Sequence, residues 1–121
     1  MGNEIGFQQE IKMAYLYLAI AIVAEVVATS ALKASAEFTR LMPSLIVIFG
    51  YGIAFYFLTL VLRTIPIGIS YAIWSGVGLV LVTAVGALIY KQIPDTPALI
   101  GMGLIISGVM VIHLYSKTMN H

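Results

Sequence analysis

A single carboxylate stands inside the first hydrophobic stretch of the sequence. In "AIAIVAEVVATSAL", Ala19 to Leu32, every residue except Glu25 is apolar or small. No Lys or Arg falls within any hydrophobic stretch of the chain to pair with it. Ionisable residues at membrane depth usually mark ion or substrate pathways. Desolvation disfavours the ionised form of a carboxyl group, so such a group holds a proton and yields it to a competitor. A hydrophobic cation is a suitable competitor, and one site that takes either a proton or a cation is the minimal device for exchange. Each pH unit across a membrane would then supply about 1.4 kcal/mol per proton exchanged. The structural alternative is a protonated carboxyl that merely hydrogen-bonds a neighbouring helix.

Helical spacing gathers further groups. Residues three or four positions apart share a face. Leu18, Ile22, Glu25, Thr29 and Leu32 form one such stripe, which Tyr15 continues toward the membrane interface. Tyr71, Trp74, Ser75 and Gly78 form a second stripe, and Tyr51, Phe55 and Leu58 a third. Aromatic faces attract organic cations, and Trp does so best. Trp74 is the only tryptophan and lies deeper in its stretch than an interfacial anchor would. Tyr15, Tyr17, Tyr90 and Tyr115 stand near the ends of stretches and read as belt residues.

The elements that must carry these groups are four transmembrane helices. Of 121 residues, 61% are hydrophobic and 9% charged, with a mean hydropathy of +1.05. Soluble domains carry about 25% charged residues. The hydrophobic stretches cover about 13–32, 44–62, 67–90 and 98–116, each long enough to cross about 30 Å of hydrocarbon. Residues 13–116 therefore read as an all-α membrane domain, with a short tail at 117–121. Strand-like alternation is absent, so a barrel is not expected. Residues 1–12 are polar and fit no span. They read as a disordered or surface-lying leader, or an added segment, with Met13 an alternative start. A cleaved signal peptide is not expected.

The net charge of +1 points to no nucleic-acid partner, and without cysteine there is no disulfide or thiolate site. No metal cluster, nucleophile–base pair or phosphate loop is visible, so neither an enzyme, a metal nor a cofactor is expected. Lys and Arg near helix ends set orientation. Lys12, Arg63 and Lys117 fall on one side, and Lys33, Arg40 and Lys91 on the other. That tie is compatible with dual topology, in which two antiparallel copies bring two Glu25 residues together and couple their titrations. Gly76 and Gly78 in mid-helix permit a kink or close backbone approach. On the fourth helix Gly101 and Gly108 lie a heptad apart, and Gly103 and Ser107 form a small-xxx-small pair suited to association between protomers.

"YLAIAIVAEVVATSALK", "FTRLMPS", "IPIGISYAIWSGVG" and "IGMGLIISGV" together resemble the small multidrug resistance family of bacterial proton-coupled exporters. The resemblance covers essentially all of Met13 to Ser116. It implies a four-helix protomer acting as an antiparallel homodimer in the bacterial inner membrane. It also implies export of quaternary ammonium compounds and other lipophilic cations in exchange for protons. Glu25 matches the family's shared glutamate, which binds proton and substrate. Tyr15, Tyr51, Phe55, Tyr71 and Trp74 match positions lining its chamber, to which the stripes add Leu18, Ile22, Thr29 and Ser75. Gly76 to Gly78 match its third-helix kink, and Gly101 and Gly108 its dimer contact. "AEVVATS" and "WSGVG" resemble the multidrug branch more than the guanidinium branch, which is the runner-up. Glu37, where the family often has Gly, and Tyr56, where it often has Trp, depart from the pattern. The other alternative is a membrane accessory subunit whose Glu25 only pairs with a partner helix.

Overall fold

The computed structural model describes residues 2–115, with side chains from position 6 onward. Lys117 and the tail at 117–121 lie outside the described residues. Four helices follow in order: α1 (Gly2–Ala34), α2 (Leu41–Val61), α3 (Ile67–Ile89) and α4 (Thr96–Tyr115). All four are long and apolar enough to cross a membrane. With 21, 23 and 20 residues, α2, α3 and α4 extend roughly 30–35 Å each.

α1 is longer than the sequence pattern suggests. Its 33 residues reach about 50 Å, because the helix carries on through positions 2–12. Those positions were expected to be disordered or to lie on the surface. Their sequence explains the difference. Gln8, Gln9, Glu10 and Lys12 are good helix formers, no proline precedes Pro43, and continuing a formed helix is far easier than starting one.

Each helix end has a local cause. Ser35 is fully buried after α1, where its Oγ accepts the Phe38 N–H at 3.2 Å and its carbonyl accepts the N–H groups of Thr39 and Arg40, both at 3.0 Å. These bonds hold Ala36, Glu37 and Phe38 at φ values of 49°, 61° and 66°. Three successive non-glycine residues thus turn left-handed, each in a conformation that costs side-chain-bearing residues about 1 kcal/mol or more. Pro66 stands immediately before α3, and Asp95 before α4. Asp95 Oδ1 accepts the Ala98 N–H at 3.0 Å, satisfying one of α4's free donors.

α1 is the central helix. The row Ala14, Leu18, Ile22 and Val26 is buried against Val61, Ile65 and Ile69. Its neighbouring face meets α2 through small residues. A methyl group built on Gly50 would come 2.8 Å from Ala28 Cβ and 3.1 Å from the Ala24 carbonyl oxygen, so only glycine allows this approach. α3 packs on α1, and α4 packs on α3. The α3–α4 contact is equally close at Gly76, where a built Cβ would lie 2.7 Å from Val109 Cγ2. α4 has no buried residue, and nothing approaches within 4 Å of the Cβ positions of Gly101, Gly103 or Gly108.

Candidate functional site

Glu25 faces a cavity of about 450 Å³ between α1, α2 and α3. Its walls are Glu25 and Thr29 of α1, Tyr51, Phe55 and Leu58 of α2, and Tyr71, Trp74, Ser75, Gly78, Leu79 and Val82 of α3. That volume suits a small organic molecule, as does a mainly apolar lining with a few convergent polar groups.

The carboxylate sits near the mid-length of the helices that face it. Tyr51 is the eleventh of 21 residues in α2, and Gly78 the twelfth of 23 in α3, so each is the central residue of its helix. Both lie at the level of Glu25. Thr29 Oγ1 donates to Glu25 Oε1 at 2.8 Å and lies 2.6 Å from the Tyr51 hydroxyl. Since the Thr29 proton is committed to Glu25, Tyr51 donates to Thr29, giving a chain Tyr51→Thr29→Glu25 directed toward the acid. On the other side, a methyl group built on Gly78 would stand 3.7 Å from Glu25 Oε2. Gly78 therefore leaves the second carboxylate oxygen facing open space rather than a side chain.

Aromatic rings surround the acid. Tyr51 and Phe55 stack with centroids 6.2 Å apart, and Phe55 meets Trp74 at 6.5 Å. Glu25, Thr29, Tyr51 and Trp74 are half-buried, whereas Phe55 and Tyr71 are 58% and 70% exposed. Within one protomer the cavity is thus walled on three sides and open along Phe55 and Tyr71. A delocalised cation placed here would meet a carboxylate at one end and ring faces around it.

Most of the residues expected in the site converge there: Glu25, Thr29, Tyr51, Phe55, Tyr71, Trp74 and Ser75. Three do not. Leu18 and Ile22 are 2% and 3% exposed in the core, and Tyr15 packs on that core and meets the His113 ring edge-on at 5.9 Å. The physical reason is rotation of α1. Its apolar i, i+4 row seeks Val61, Ile65 and Ile69, which turns Leu18 and Ile22 inward and leaves Glu25 and Thr29 on the adjoining row. The two glycines expected at a kink each allow a close approach. α3 runs as one helix through Gly76 and Gly78, Gly76 seating α4 and Gly78 making room beside the carboxylate. Leu79 and Val82 line the cavity although the sequence reading stopped at Gly78. They follow Ser75 by four and seven positions, so extending the same stripe finds them.

Beyond the cavity a tether links α1 to the end of α3. Tyr90 donates its hydroxyl to the Ser30 carbonyl at 2.7 Å, and Lys33 Nζ lies 5.1 Å from the centre of the same ring. Tyr90 thus joins the end of α3 to α1 at the residue after Thr29, a structural role more specific than that of an interfacial belt residue. Among the described residues no group of three or more His, Cys, Asp or Glu is placed to hold a metal ion.

Comparison with known proteins agrees with this geometry. Residues 13–105 match the model of the Small Multidrug Resistance protein family. The chain is 58% identical over 107 residues to the quaternary ammonium compound-resistance protein QacE of Escherichia coli, covering 88% of this chain and 97% of that protein. It is 55% identical to the quaternary ammonium compound-resistance protein QacF of Klebsiella aerogenes and 57% identical to a multidrug transporter of Pseudomonas aeruginosa, each over 107 residues with the same coverage. Four membrane-crossing helices around a central carboxylate, together with these relatives, place the chain in the Small Multidrug Resistance family of transporters, as a multi-pass protein of the bacterial inner membrane.

Proposed function

We propose that this protein is a proton-coupled antiporter that exports quaternary ammonium compounds and other lipophilic cations. The observation that carries the reading is the placement of Glu25, a lone carboxylate at mid-membrane inside an aromatic cavity. The names of the relatives support the substrate class.

The exchange needs no chemistry beyond binding. A protonated Glu25 is neutral and holds a cation poorly. An arriving cation gains the carboxylate only when the proton leaves, so one positive charge replaces another. Trp74, Phe55 and Tyr51 supply ring faces that suit a bulky cation without N–H donors. Thr29 and Tyr51 orient the acid through their hydrogen-bond chain. On protonation the chain reverses, with Glu25 donating to Thr29 and Thr29 to Tyr51, so the hydroxyl that faces the cavity reports the state of the acid.

Closing the open side requires another surface. In this reading a second, antiparallel copy supplies it, with the uncovered glycines of α4, Gly101 and Gly108, at the contact between protomers. Two such copies give the inverted repeat that larger transporters encode in one chain. The α3 segment at Gly76 to Gly78 then bends as access passes from one membrane face to the other.

The test is proton release. Detergent-solubilised protein titrated with tetraphenylphosphonium in weak buffer should release protons as the cation binds. Glu25→Gln should release none. Equal release from the Gln variant would refute the assignment.

A further inference from the structure

A second cavity, larger than the one at Glu25, lies apart from it. A groove of about 590 Å³ opens between the first part of α1 and the end of α2, lined by Gln9, Glu10, Met13, Tyr17, Leu60 and Arg63 among others. It owes its outer wall to the helical extension of α1, which the family match beginning at residue 13 does not include.

Its depth follows from the helices. α2 ends at Val61 after 21 residues, about the thickness of the hydrocarbon core. Arg63 therefore stands at the membrane–water boundary. Residues 6–10 of α1 project beyond it, through a layer about 5–8 Å thick that lipid headgroups occupy. The groove lies in that layer. Leu60 and Met13 form its membrane-side floor, and Glu10, Gln9 and Arg63 its outer part. Glu10 and Arg63 are both exposed, and neither has an ion-pair partner among the described residues. A cation and an anion thus face one open groove without neutralising each other.

We infer that this groove binds the headgroup of a zwitterionic phospholipid carrying a primary ammonium group, phosphatidylethanolamine in chemical terms. The phosphate pairs with Arg63, the guanidinium offering it forked donors. The ammonium, one ethylene unit from the phosphate ester oxygen, donates to Glu10 and Gln9. The acyl chains descend over Leu60 and Met13. The charge pattern selects this lipid over two others. Phosphatidylglycerol offers Arg63 its phosphate but nothing that Glu10 attracts. Phosphatidylcholine has no N–H to donate to Glu10 or Gln9. The site is separate from Glu25, and the inference does not depend on the transport reading.

The experiment is native mass spectrometry of the full chain titrated with the three lipids. Wild type should retain phosphatidylethanolamine about three- to fivefold more tightly than either competitor, the range expected for partly exposed ionic contacts. Arg63→Gln should weaken phosphatidylethanolamine and phosphatidylglycerol alike. Glu10→Gln should remove the discrimination between those two. Both side chains are exposed, so the variants should fold, and unchanged helical content and thermal unfolding in detergent confirm that they have. Equal retention of all three lipids by wild type, or an undisturbed preference in both variants, overturns the inference. So does equal competition by water-soluble glycerophosphoethanolamine, which would assign the groove to a free phosphate-and-ammonium solute instead of a lipid.

Discussion

Thr29 donates its hydroxyl proton to the carboxylate of Glu25, one turn earlier on α1, across 2.8 Å. The same oxygen lies 2.6 Å from the Tyr51 hydroxyl on α2. Replacing Thr29 with Val keeps the shape and removes both bonds. The carboxylate then loses a charge-assisted hydrogen bond of a kind that contributes about 1.5–3 kcal/mol, and the contact between α1 and α2 loses its polar link. Thr29→Val should therefore lower the thermal unfolding temperature in detergent, and Tyr51→Phe should lower it by less, since it removes only the outer bond. Identical unfolding temperatures for all three proteins would show that the chain holds nothing together.

Glu25→Gln keeps the shape of the site and removes the charge a lipophilic cation would pair with. Its affinity for tetraphenylphosphonium should fall by about tenfold or more, as isothermal titration would reveal, and equal affinity in both proteins would show that the carboxylate does not hold the cation.

Trp74→Phe should retain most of the affinity for an aromatic cation, and Trp74→Ala should lose about 1–2 kcal/mol of it, the range of a desolvated cation–π contact. The measurement is competition against a fluorescent cation. If the Ala variant binds as wild type does, the ring is only a packing element.

Gly76 and Gly78 separate two roles that sequence alone merges. Gly76→Ala places a methyl group 2.7 Å from Val109 Cγ2, so α3 and α4 must shift, at a cost of about 1–3 kcal/mol. Val109→Ala in the same chain should recover much of that loss. Gly78→Ala meets Glu25 Oε2 at 3.7 Å, an ordinary contact. It should leave stability nearly unchanged and reduce binding of the bulkiest cations first. Thermal unfolding in detergent and a size series of tetraalkylammonium ions measure the two effects.

Glu37 at φ 61° is the central member of the left-handed run after α1. Glu37→Gly should stabilise the turn by about 1 kcal/mol, since glycine meets no Cβ penalty there. An unchanged or lowered unfolding temperature would contradict the strain argument.

The four spans and most of the Glu25 site were legible in the sequence because hydrophobic length and helical spacing are local properties. Tyr15, Leu18 and Ile22 were misplaced because one stripe at three- and four-residue spacing is wide enough to serve a cavity and a core at once. Which part faces which depends on how α1 rotates against α2 and α3. Gly50 escaped notice for a similar reason, since its partners Ala24 and Ala28 belong to another helix. The helical extension at positions 2–12 was hidden by its polarity, which excludes a span but not a helix.

The central positions of Tyr51 and Gly78 in their helices have an electrical consequence. A site midway through the membrane divides the transmembrane voltage about equally between its two approaches. Moving one elementary charge across the whole membrane is worth about 2.3 kcal/mol per 100 mV, so occupancy from either face involves roughly half that. In the proposed export cycle neither loading from the inside nor discharge to the outside would then carry the full voltage term, and hyperpolarisation would penalise each half-journey of a departing cation alike.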